Sequence, residues 1–129
     1  MTRTAKLAVV TLVMAAAMII VGCSEQNARI DTATPVAQLK QDIGDMSEAQ
    51  LRRKAITYRE AIKKKHAQAM ASLGAMSSAT EPSEADKIKV EVNDLMAEVK
   101  PLTQRYYLYF NELKARGSDL TGVRLNDNG

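Results

Sequence analysis

Nine residues in the C-terminal half of the chain, Ala85, Ile88, Val92, Leu95, Val99, Leu102, Tyr106, Tyr109 and Leu113, follow one another at alternating steps of three and four without a miss. This heptad pattern lays one stripe of an α-helix against another helix, as in a coiled coil, and four repeats are too many for a strand. It predicts a helix over about 83–116. Gly117 should close it after Lys114 and Arg116, whose charges suit the negative end of the helix dipole. Ser83 with Asp86 reads as an acidic capping box at its start. Pro101 removes one backbone hydrogen bond, but the apolar phase runs on across it, which predicts a kink and not a break.

A seam of that length needs a partner helix, and the chain supplies one at about 47–76. Ser47 and Gln50 form a capping box, and Met46 and Leu51 stand at the positions of a hydrophobic staple. Leu51, Ala55, Tyr58, Ile62, His66, Ala69, Leu73 and Met76 make its inward face. Ser77 to Pro82 is a turn by composition, and so short a loop between long helices makes them antiparallel. Facing residues should have indices that sum to about 159, which places Ile62 near Val99 and His66 near Val92. Thr34 and Pro35 open a third, short helix at about 35–43, with Gly44 as a left-handed closing residue. The expected fold is therefore all-α, a long antiparallel helical hairpin (about 47–76 and 83–116) with the short helix (about 35–43) packed at its aromatic end. Residues 34–117 form the helical domain, and the Gly-, Asp- and Asn-rich residues 118–129 are expected as a loosely ordered tail.

The N-terminus is of another character. Arg3 and Lys6 precede an uninterrupted membrane-compatible stretch from Leu7 to Val21, at whose end stands Ile20-Val21-Gly22-Cys23. Fifteen residues of helix span about 22 Å, short of the roughly 30 Å of a bilayer's hydrocarbon core, and so fit a cleaved signal better than an anchor helix. The tetrad resembles the lipobox of bacterial lipoproteins. The resemblance covers residues 1–24 and implies a signal peptide over 1–22, cleavage between Gly22 and Cys23, and a lipid on Cys23 that anchors the chain to the membrane. Ile and Val stand where Leu and then Ala or Ser are commoner. Ser24, in place of the Asp that retains such proteins in the inner membrane, implies outer-membrane sorting facing the periplasm in a Gram-negative host. Residues 23–33 would then be lipidated Cys and flexible tether. Cys23 is the sole cysteine, so no intramolecular disulfide can form.

Removal of the signal lowers the net charge from +3 to +1, because Arg3 and Lys6 leave and all fifteen acidic residues stay. So small a charge and such a compartment argue against nucleic acid as a partner. The second helix is nonetheless basic. Arg59, Lys63, Lys64 and Lys65 are candidates for holding anionic headgroups, although Asp94 and Glu98 across the hairpin offer intramolecular partners. His66 is the only histidine and is expected half-buried against the third helix; one imidazole makes a zinc site improbable. Asp42, Asp45 and Glu48 lack the ordered spacing of a calcium loop. No serine is placed to be activated by His66, so neither catalysis nor a cofactor is expected.

The densest feature is Tyr106-Tyr107-Leu108-Tyr109-Phe110, four of the chain's five aromatic residues. Tyr107, Leu108 and Phe110 extend the apolar surface beyond the seam, and either the short helix or a partner must cover it. They are the candidate interaction surface. The expected function is that of a small membrane-anchored lipoprotein with a structural or protein-interaction role, acting on a protein partner or as a homo-oligomer. The alternative is a binder of anionic lipid headgroups through the basic helix.

Overall fold

The computed structural model describes residues 30–127, and Gly22, Cys23, the leader and most of the tether lie outside them. The described chain is three helices: α1 (Val36–Asp45), α2 (Glu48–Met76) and α3 (Pro82–Ala115). The two long helices pack along each other as an antiparallel hairpin, and α1 lies against α3.

Local chemistry sets the helix ends. The Ser47 Oγ accepts from the Gln50 N–H at 3.2 Å, and the Gln50 side chain accepts from the Ser47 N–H at 2.8 Å, so both bonds of the expected capping box are made. Gly117 closes α3 in a left-handed conformation with φ 71°. The Ser118 N–H donates to the Leu113 carbonyl and the Gly117 N–H to the Lys114 carbonyl, the paired bonds of a Schellman turn. Three other expected caps do not form. Thr34 does not cap α1, since Pro35 takes the N-cap position and Val36 is the first helical residue. Gly44 stays helical inside α1, which runs on to Asp45, and Ser83 does not cap α3, whose first helical residue is Pro82. Proline needs no N–H partner in the first turn, so it opens the helix one position before the serine can cap it. α3 continues as one helix through Pro101.

The core is gathered at one end. Leu51, Ala55, Tyr58 and Ile62 of α2 meet Val99, Leu102, Tyr106, Tyr109 and Leu113 of α3, with Ile43 of α1 in the same cluster. The seam is thus buried from Val99 onward, whereas Ala85, Ile88, Val92 and Leu95 are only half-buried. Two helices alone bury a single stripe and leave its flanks wet; burial becomes complete where further chain covers the flanks.

That further chain includes the segment expected as a loose tail. Residues 118–127 instead fold back in successive turns over the hairpin, with Val123 wholly buried and Leu120 and Leu125 half-buried against the core. The reversal starts at the Gly117 turn. Gly122 takes a second left-handed conformation, φ 72°, and its N–H donates to the Asp127 carboxylate at 2.9 Å. Asp119 likewise accepts from the Thr121 N–H and hydroxyl, at 2.9 and 2.7 Å. The polar residues that suggested disorder are turn formers holding three apolar residues inward.

The register of the hairpin is also displaced. Lys65 pairs with Glu98 and Ser72 with Glu91, each with index sum 163, and Tyr58 stacks on Tyr109 with index sum 167, against the 159 expected. Side chains lean toward the N-terminus of their own helix, so across an antiparallel pair the residues that touch both lie C-terminal to the level of contact. His66, expected against Val92, is exposed.

Candidate functional site

α3 completes a full turn every 3.6 residues, so Leu108 and Phe110 project 200° apart and cannot share a patch. Arg105, Glu112 and Arg116 define the flank of α3 on which α1 is held, and Leu108 falls on that side. Tyr106 faces the returning tail, whose Val123 carbonyl accepts from its hydroxyl at 2.9 Å, and Phe110 projects from that same side of the helix and packs against the core. The block is thus covered on both sides by its own chain, with α1 on one flank and the tail on the other. Of the three candidates, only Tyr107 remains well exposed, at 45 %. Its ring meets Phe110 edge-on, with centroids 6.3 Å apart and planes at 87°, and Phe110 stacks in turn on Tyr106 at 5.4 Å. Met96, 43 % exposed, stands eleven residues earlier on nearly the same face. Tyr107 with the Phe110 edge is what remains of the expected surface.

The basic candidates are distributed differently from the expectation. Arg59 is buried; it bonds the Glu60 carboxylate and donates to the Gly122 carbonyl. Lys63 donates to the Asp127 carbonyl at 2.6 Å, and Lys65 pairs with Glu98. Three of the four proposed anion ligands are therefore engaged within the molecule, and Lys64 alone of them points to solvent with no partner among the described residues. Arg52 acts like Arg59 and donates to the carbonyls of Asp119 and Thr121. One side of α2 thus holds the tail by its backbone.

The segment before α1 is held from below and beside. The Tyr58 hydroxyl donates to the Asp31 carbonyl at 2.7 Å, and the Arg105 guanidinium donates to the carbonyls of Thr32 and Thr34 at 2.6 and 2.8 Å. The Asp31 carboxylate accepts from the N–H groups of Ala33 and Thr34. Bonds from Thr34 and Ala33, with a smaller contribution from the Arg105 charge, lower its pKa from 3.8 to about 2. Burial raises the Tyr58 phenol from 10.0 to about 12, and raises those of Tyr106 and Tyr109 as well. Sequence patterning marked Arg105 as neither core nor site, since an arginine at the edge of an apolar stripe reads as solvated.

Between this segment and α2 opens a groove of about 340 Å³, lined by Ile30, Asp31, Gln50, Arg53, Lys54, Thr57 and Tyr58. Sequence reasoning passed it over because its two sides come from segments twenty residues apart. The Asp42, Asp45 and Glu48 carboxylates do not form a cation site, and among the described residues no group of three or more potential metal ligands comes together. No described helix is long and apolar enough to cross a membrane. No family model matches this chain, and neither a curated protein nor a solved structure shows significant similarity to it.

Proposed function

We propose that the chain is a lipid-anchored envelope protein, cut before Cys23 and carried on the lipid of that residue, whose helical domain has a structural or protein-interaction role. In a Gram-negative host it would face the periplasm from the outer membrane. The observation that carries this reading is the Ile20-Val21-Gly22-Cys23 tetrad at the end of a short apolar run, followed within a dozen residues by the start of a folded domain at Asp31 to Val36. Tyr107 and the edge of Phe110 supply the contact surface for a protein partner or a second copy, because an exposed aromatic pair is the kind of group enriched at interface cores.

Mass spectrometry of membrane-extracted protein tests the anchor: the expected mature chain begins at Cys23 with a lipid mass on it, and an intact N-terminus in mature material would overturn the reading. The contact surface is tested separately, by a photo-crosslinking residue in place of Tyr107 in living cells. A discrete adduct with another protein or with the chain itself is expected; no adduct at Tyr107, with adducts formed instead from an exposed control at Lys87, would reject this surface.

A further inference from the structure

We infer that the groove between Ile30–Asp31 and α2 binds the phosphodiester group of an anionic phospholipid through Arg53 and Lys54. Arg52 and Arg59 spend their guanidinium groups on tail carbonyls, but Arg53 makes only a long Nε contact, 3.4 Å, to the Ala49 carbonyl of its own helix. Its two terminal nitrogens have no protein partner among the described residues. Lys54, next to it, pairs with no carboxylate in the same set. Two exposed cations at the rim of a groove form a fork and a point charge, the donor set that suits a phosphate.

The rest of the lining selects among anions. Asp31 brings one negative charge, fixed by its bonds to Ala33 and Thr34, so the groove holds a net charge of one and matches a singly charged phosphodiester better than a doubly charged monoester. The Gln50 carbonyl oxygen is taken by Ser47, which leaves its amide N–H₂ to donate. Ile30, which also packs against the core, adds an apolar wall that suits a ligand with an apolar part beyond its phosphate. Location agrees with a membrane source. Ile30 follows Cys23 by seven residue steps, which reach at most about 25 Å, so a lipid on Cys23 would keep the groove near the headgroup layer. That last step alone rests on the anchored reading.

The test uses the full chain with C23S, so that acylation cannot contribute, purified in neutral maltoside micelles. The probes are short-chain phosphatidylglycerol, short-chain phosphatidylcholine and inorganic phosphate, and the readout is the amide resonances of Arg53, Lys54 and Thr57. Saturable shifts with phosphatidylglycerol are expected, weakened by added salt, and weaker with phosphatidylcholine, whose phosphodiester is the same but whose quaternary ammonium opposes the charges of Arg53 and Lys54. R53Q/K54Q should reduce the affinity on the order of tenfold or more, with an unchanged helical circular dichroism spectrum, whereas K87Q at the far end should leave it unchanged. Binding unaltered in R53Q/K54Q, or no saturable shift with phosphatidylglycerol, would overturn the site. Inorganic phosphate bound as tightly as the lipid would overturn the headgroup assignment.

Discussion

Arg105 is buried and makes no salt bridge among the described residues, and it is stabilised there by the backbone carbonyls of Thr32 and Thr34. A guanidinium suits that task because its donors diverge in a plane and can meet two acceptors at once. Arg116, more exposed and paired with Glu112, also grips carbonyls at the other end of α1, where it donates to those of Ile43, Gly44 and Met46 at 3.1, 3.2 and 2.6 Å. Replacing Arg105 by Ala strands two carbonyls beside the core, and we expect a loss of about 2–4 kcal/mol in urea unfolding. R53A, on the exposed side of α2, should change stability by less than about 0.5 kcal/mol. The buried phenols make a second residue-scale prediction. Tyr58 ionises near pH 10 in the unfolded chain and near 12 in the folded one, so between these values the unfolded state has fewer protons bound and stability falls as pH rises. Below pH 10 the full stability is present. Y58F should flatten this alkaline loss, read as the melting temperature against pH beside the ultraviolet signal of tyrosinate.

Each long helix behaves as two halves. Val99 is buried, Leu95 half-buried and Val90 60 % exposed. V99A should therefore cost about 1–3 kcal/mol, V90A close to nothing, and L95A less than a fully buried leucine would. Equal effects at Val99 and Val90 would mean that this face of α3 is not packed. The heptad made α3 and its inward stripe legible, and the Ser47–Gln50 box and Gly117 marked the start of α2 and the end of α3, because these are signals carried by neighbouring residues. The flanks of α3 were not legible. Whether Leu108 or Phe110 is covered depends on where α1 and residues 118–127 travel after leaving their turns, and those paths are set by Arg52, Arg59, Arg105 and Arg116 gripping carbonyls far along the chain. A carbonyl leaves no mark in a sequence. The groove escaped for the same reason, since Arg53 acquires its neighbours Ile30 and Asp31 through the Tyr58 and Arg105 bonds that hold their segment against α2 and α3.

At the scale of the molecule, α1, the segment before it and the returning tail all lie at the aromatic end, and the turn end is a bare pair of helices. Met70, Leu73 and Met96 are partly open there, 68, 40 and 43 % exposed. Amide hydrogen exchange should accordingly be fastest, among helical residues, near Met76 and Pro82 and slowest from Tyr106 to Leu113. Removal of residues 118–129 would uncover the Tyr106 side of the core. With about 2 kcal/mol lost from Val123 alone, we expect the melting temperature to fall by roughly 10 °C and ANS fluorescence to rise. An unchanged melting curve would show that the tail adds no cover.

The Tyr58 bond to Asp31 has a mechanical meaning as well. It fixes the incoming chain to α2 eighteen residues before that helix ends, so about 27 Å of paired helix extends beyond the point of attachment. A chain anchored through Cys23, as proposed, would be held like a post near its base, with the Ser77–Glu81 loop at the free tip. Whatever touches the loop stands clear of whatever touches the groove, and the two surfaces can be occupied at once.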